Sequence, residues 1–115
     1  MTVSDKEFSV TFDEAEGRMK FAGLMRLRSA KEYDDVKQML RDAHALALPT
    51  LVLDFRGLEF LNSSGISTIG QFVVEVRKAN RTKLVLHATA AHPWQSRSLG
   101  TIQRIWDEVQ LIVDT

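Results

Sequence analysis

The stretch TLVLDFRGLEFLNSSGISTIGQFVVEV, Thr50 to Val76, decides the fold. It opens on TLVLDF, a near-continuous apolar run of strand length, and such runs suit an interior strand buried on both faces. It closes on Ile66, Ile69, Phe72, Val73 and Val76, which share one face of a helix. Between them sit Asn62, Ser63, Ser64 and Gly65, a polar turn leading from strand to helix.

The flanking sequence extends this alternation. Phe8, Val10 and Phe12 alternate with polar residues, and after the turn-like DEAEG so do Met19, Phe21, Met25 and Leu27, with Gly23 as a bulge. This predicts a hairpin over 8–12 and 18–27. Ser29-Ala-Lys-Glu32 has capping-box spacing, and Tyr33, Val36, Met39, Leu40 and Ala43 recur at helical intervals, predicting a helix from 30 to 46. Pro49 breaks it. Asn80 is a fitting terminator for the second helix. KLVLH, 83–87, reads as a strand. A loop through His92-Pro93-Trp94 leads to a third helix whose apolar face holds Leu99, Ile102, Ile105 and Val109. LIV at 111–113 closes the sheet as a short β-branched strand. The order β-β-α-β-α-β-α-β implies an α/β fold with a mixed, mostly parallel sheet, right-handed crossovers and helices packed against it. No repeat or linker interrupts residues 1–115, which read as one domain.

Composition narrows the function. Fifteen basic residues balance fifteen acidic ones, so no net field draws the chain to nucleic acid or an anionic membrane. Cysteine is absent, which excludes disulfides, thiolate metal sites and thiol catalysis. The N-terminus lacks a secretion-signal pattern, and no run reaches the ~18 apolar residues of a membrane span. A cytoplasmic domain is the expectation, with no membrane insertion.

Enzyme readings find little support. Gly57 and Gly65 fit neither a Rossmann fingerprint nor a Walker loop, and Ser63 and Ser64 lack the Gly-x-Ser-x-Gly frame of an α/β hydrolase. His44 lies within the first helix, while His87 and His92 occupy a region from which either could face the Ser pair. No ligand spacing suggests a metal, and no cofactor is expected. The Ser pair itself has two readings. One hydroxyl caps the second helix while Gly65 eases the turn; the other, if exposed, is a phosphoacceptor at a helix end that tolerates negative charge. Trp94 reads either as an interface anchor in a loop or as a cover for the sheet edge. Trp106 adjoins the apolar stripe of the third helix and reads as core. Arg77, Lys78, Arg81 and Lys83 read as a solvated helix end. Arg56 stands where it could reach a phosphate or pair with Glu59.

A strand, then Leu-Glu-Phe-Leu-Asn-Ser-Ser-Gly-Ile, then an amphipathic helix resembles the STAS domain family, which includes the bacterial anti-sigma factor antagonists. The resemblance extends through the element order of nearly the whole chain. In that family the turn commonly reads Asp-Ser-Ser-Gly-Leu, and a partner kinase phosphorylates its first Ser or Thr. The resemblance therefore implies a non-enzymatic signalling switch in transcription control. It implies that Ser63 is the phosphoacceptor, that Ser64 caps the helix, and that Gly65 is the turn glycine. Asp54 occupies a place where the family often has a polar residue. Asn62 is the departure: it keeps the reach of the family's Asp but lacks its charge. The implied partners are a serine/threonine kinase or anti-sigma factor with an ATPase-like fold, and a phosphatase. The alternative within the family is an accessory subunit of a transport or sensory complex without a phosphoswitch.

Overall fold

All three helices lie on one side of the sheet, and strand order explains why. The computed structural model describes residues 1–115. Its strands are β1 (Thr2–Ser4), β2 (Phe8–Asp13), β3 (Arg18–Met25), β4 (Thr50–Leu61), β5 (Lys83–Thr89) and β6 (Gln110–Asp114). Its helices are α1 (Asp34–Ala45), α2 (Ser63–Ala79) and α3 (Trp94–Gln103). The sheet runs in the order β1-β2-β3-β4-β5-β6, antiparallel up to β3 and parallel from β3 to β6. Each parallel step moves one strand further the same way, so right-handed crossovers deliver every helix to the same face.

Burial follows. Leu51, Leu53 and Phe55 of β4, Leu84, Leu86 and Ala88 of β5, and Met19 and Phe21 of β3 are buried beneath the helices. Val36, Met39 and Leu40 of α1, Phe72 and Val76 of α2, and Leu99 and Ile102 of α3 complete the same core. Phe21 and Phe55 stack with ring centroids 4.7 Å apart, an arrangement contributing about 0.5–1.5 kcal/mol beyond area burial. The opposite face carries Arg18, Lys20, Val52, Asp54, Val85, His87 and Ile112, and no helix covers it. TLVLDF is thus buried on one face only: its apolar run includes Val52, which stays half-exposed.

The hairpin of β2 and β3 forms as the alternation predicts, turning at Gly17, whose φ of 63° suits glycine. Asn80 ends α2 in the left-handed conformation at φ 48°, and Trp106 is buried, both as read from sequence. The edge strand β1 is an addition to the expected order, and three boundaries differ. The capping-box spacing produces a 3₁₀ turn, Lys31–Tyr33, ahead of α1. Glu32 N–H donates to Ser29 Oγ at 3.4 Å, but the Glu32 carboxylate accepts from Arg28 N–H, so the reciprocal half of the box is misaligned by one residue. The third helix stops at Gln103, leaving Ile105 and Val109 in the connection to β6. Finally, β4 runs on for twelve residues, well past Phe55.

That extension needs two irregularities. Lys20 pairs with Asp54 but Ala22 with Gly57; Gly23 pairs with Leu58 but Leu24 with Phe60. Each step puts one extra residue into β4, a bulge that bends the strand. Pairing between β4 and β5 ends at Asp54 and His87. Beyond it the side chain of Gln95, fully buried in α3, fills the gap. Its Nε2 donates to the carbonyls of Phe55 at 2.6 Å and Leu58 at 2.9 Å, and its Oε1 accepts from Thr89 N–H at 2.8 Å. A side-chain amide has replaced the missing ladder bonds, satisfying groups that are costly to bury unpaired.

Candidate functional site

The end of β4 delivers Asn62 to a clamp. Asn62 is the N-cap of α2, with extended φ and ψ of −80° and 176°, and its Oδ1 accepts from Gly65 N–H at 3.0 Å. The same oxygen accepts from the Tyr33 hydroxyl at 2.8 Å, while Nδ2 donates to the Leu27 carbonyl at 2.6 Å. The N–H of Gly65 demands an acceptor and the carbonyl of Leu27 demands a donor, so only one amide orientation fits. A carboxylate here would set an oxygen against the Leu27 carbonyl. The Asn in place of the expected Asp therefore has a local cause: this turn needs a donor as well as an acceptor. Tyr33 is fully buried, and burial, opposed by a backbone hydrogen bond from Leu27 and reinforced by the Glu32 charge, raises its hydroxyl above the usual tyrosine range.

Capping therefore falls to Asn62 and not to Ser64. Asn is among the strongest capping residues, and its side chain here spans the required three positions. Ser64 is the second residue of α2, half-buried, and its carbonyl accepts from Thr68 Oγ1 at 2.8 Å. Gly65 is needed for space: a Cβ would crowd Leu61 Cδ1 and stand 2.9 Å from the Tyr33 hydroxyl. Ser63 is the first residue of α2, exposed and free of the capping task. It borders a groove of about 220 Å³ between α2 and the start of α1, together with Ser64, Ser67, Thr68, Ala30 and Lys37. No histidine or carboxylate lines that groove. His87 and His92, possible bases by sequence, lie elsewhere: His87 points onto the open face of the sheet, and His92 precedes α3, where its carbonyl accepts from Gln95 N–H.

Asp54 and Arg56 belong to a second cluster, on the open face. Arg18 Nη1 donates to Asp54 Oδ2 at 2.8 Å; Arg56 reaches both Asp54 oxygens, at 2.8 and 3.0 Å, and Asp114 at 3.1 Å. His87 Nε2 meets Asp114 at 2.9 Å and its Nδ1 meets Arg18 at 3.2 Å. The five side chains close a ring across β3, β4, β5 and β6. Arg18 can only donate, so Nδ1 accepts and Nε2 carries the proton toward Asp114. Burial alone would raise the Asp54 carboxyl, but hydrogen bonds from Arg56 and Arg18 outweigh it and hold it at about 2. The His87 and Arg56 hydrogen bonds lower Asp114, and the Asp54 pairing raises Arg56 above its usual range. Arg56 is thus committed to Asp54 and Asp114, not to Glu59 or to Ser63. Asp54, expected near the switch, is turned to the opposite side of the sheet from the core.

Trp94 is the first residue of α3, not a loop residue; it is partly buried against the core, and its Nε1 is buried without a partner. Sequence reasoning missed Gln95 and Tyr33 as parts of the site's framework. Gln95 had a signal: it stands at i, with Leu99 and Ile102 at i+4 and i+7, a polar residue on an apolar face.

A six-strand mixed sheet, one-sided helices and a polar turn opening the second helix define the STAS-like fold. Structural neighbours place the chain among known examples. Apo-SiaC from Pseudomonas aeruginosa matches with a TM-score of 0.76 at 16% identity, over 100% of this chain and 98% of that one. A chain of the complex between the P. aeruginosa diguanylate cyclase SiaD and its activator SiaC matches with a TM-score of 0.75 at 16% identity, over 99% and 98%. An anti-sigma factor antagonist from Mycobacterium paratuberculosis matches with a TM-score of 0.69, also at 16% identity, over 94% and 90%. No protein-family profile and no curated protein sequence matches the chain. No helix is long and apolar enough to cross a membrane.

Proposed function

We propose that residues 1–115 act as one STAS-like partner-binding domain without chemistry of its own, switched by phosphorylation of Ser63. The observation that carries this reading is the division of labour at the turn. Asn62 caps α2, so the exposed Ser63 hydroxyl is left available on an ordered surface. The neighbours support the class of activity, since one is an activator in complex with its cyclase and another an anti-sigma factor antagonist. The partner is a serine/threonine kinase or anti-sigma factor with an ATPase-like fold, and a phosphatase resets the domain in the bacterial cytoplasm. In the kinase step the Ser63 Oγ–P bond forms and the β–γ bridge bond of the nucleoside triphosphate breaks. The diphosphate leaves, and the hydroxyl proton passes to a base of the kinase. The added charge of about −1.5 to −2 must be desolvated for docking, which opposes the bound state.

Mass spectrometry of the chain isolated from its own cells tests the switch, with phosphate expected on Ser63 and absent from a Ser63→Ala chain. Captured partners are expected to bind the native chain and to be lost with Ser63→Asp. Phosphate found only at other residues, or Ser63→Asp binding its partner undiminished, would refute the switch. Recovery of membrane-transport ATPases in place of a kinase and phosphatase would instead mark the domain as an accessory subunit.

A further inference from the structure

The groove beside Ser63 holds one charged side chain. Lys37, on α1, lines it with Ser63, Ser64, Ser67 and Thr68, and no acidic group does. It is also the only one of the chain's six lysines that is not exposed: its side chain is 21% accessible. Apolar stems of this kind lie along the protein while the ammonium stays near water. The carboxylate it meets, Asp34, is 3.7 Å away and 62% accessible, an exposed pair of the type that contributes little. Lys37 is therefore positioned by its buried stem, not by its ion pair, and its ammonium is open to a stronger anion.

We propose that Lys37 is the internal charge partner of a phosphate on Ser63, holding the dianion in the groove between α1 and α2. The inference rests on the reading of Ser63 as the phosphoacceptor. A phosphate dianion outcompetes the exposed Asp34 carboxylate for the ammonium, because it carries more charge and three acceptor oxygens. The hydroxyl of Ser67 and the amide of Gln71, on the same groove, supply further donors. In the modified state the phosphate is folded onto the domain instead of extending into solvent. Lys37, otherwise available to an acidic partner surface, is withdrawn at the same time. One modification thus adds negative charge and removes a positive contact.

The test uses phosphoserine installed at position 63 by codon reassignment, so no kinase is needed and the Lys37 question is separated from whether cells phosphorylate Ser63. The probe is the ³¹P resonance followed through pH. A neighbouring ammonium favours the dianion, so the second ionisation lies below its ordinary value of about 6. Lys37→Gln is expected to move it up by at least about half a unit, roughly a threefold change in proton affinity, while Lys37→Arg keeps it low. Identical titrations of the native and Lys37→Gln chains, both giving folded amide spectra, would overturn the proposal. A second measurement needs no substitution: the Lys37 side-chain resonance is expected to shift between Ser63 and phosphoserine chains while that of exposed Lys78 stays fixed. An unmoved Lys37 would overturn it equally. Failure of either test leaves Ser63 phosphorylation itself standing, and failure to find that phosphate in cells leaves this measurement intact.

Discussion

Replacing Asp54 with asparagine tests whether the ring on the open sheet face stabilises the fold. Asp54 is 4% exposed and bonded to Arg18 and to Arg56, whose backbone and side chain both donate to it. Its carboxyl falls from 3.8 to about 2 on folding, which corresponds to about 2 kcal/mol at neutral pH. The sign follows from the direction: a lowered folded value gives stability that is present above pH ~4 and lost as pH falls toward ~2. The Asp54→Asn side chain would keep an acceptor for the Arg56 N–H but leave Arg18 and Arg56 without their shared charge. The expected loss is therefore about 2 kcal/mol at pH 7, or ~8 °C in Tm for a chain of this length. Urea unfolding followed by tryptophan fluorescence at a series of pH values measures it, with the native chain and Asp54→Asn compared at each. The gap is expected to be widest at pH 7 and to close between pH 4 and 2, as the native carboxyl protonates. A gap that is absent at pH 7, or that stays constant down to pH 2, refutes the reasoning.

Three other substitutions probe the framework around Ser63. Asn62→Asp trades the donor to Leu27 for a carboxylate oxygen facing a carbonyl; it should cost about 1–2 kcal/mol in chemical denaturation, despite the favourable charge at a helix N-terminus. Gln95→Ala strips hydrogen bonds from the carbonyls of Phe55 and Leu58 and from Thr89 N–H. It should lower stability by about 2–4 kcal/mol, with faster amide exchange in the second half of β4. Gly65→Ala forces Leu61 and the Tyr33 hydroxyl to give way, and a loss of about 1–3 kcal/mol in thermal unfolding is expected.

Apart from the short first strand Thr2–Ser4, which carries no periodic signal, the sequence conveyed the order of elements because that order is written locally. Periods of 2 and 3.6 mark the strands and helices, and Pro49 and Asn80 mark breaks. The one-sided sheet was harder to see. A run such as TLVLDF looks equally apolar whether one face or two are covered, and strand order, a non-local property, decides which. The ring was hidden for the same reason: apart from Asp54 and Arg56, two residues apart on β4, its members Arg18, His87 and Asp114 are brought together only by pairing across four strands. The turn was partly legible. Its location, its glycine and the exposure of Ser63 could be anticipated, whereas the cap, expected at Ser64, falls to Asn62, one of three consecutive polar residues with similar capping preferences. Tyr33 and Leu27 decided it, from 29 and 35 residues away.

The amide of Gln95 has a consequence for how the domain breathes. From Phe55 to Leu61, β4 is paired with β3 on one side, while on the other its backbone is tied toward β5 by a single side chain. A ladder frays one rung at a time, but a side-chain amide lets go all at once. A rotamer change in Gln95 frees this edge of the backbone while Phe55, Leu58 and Leu61 stay buried in the core and the pairing with β3 persists, so opening of the edge alone costs less than global unfolding. That edge runs to Leu61, one residue before the Asn62 cap and two before Ser63. On the proposed reading, a kinase or docking partner that approaches Ser63 would meet this edge beside it.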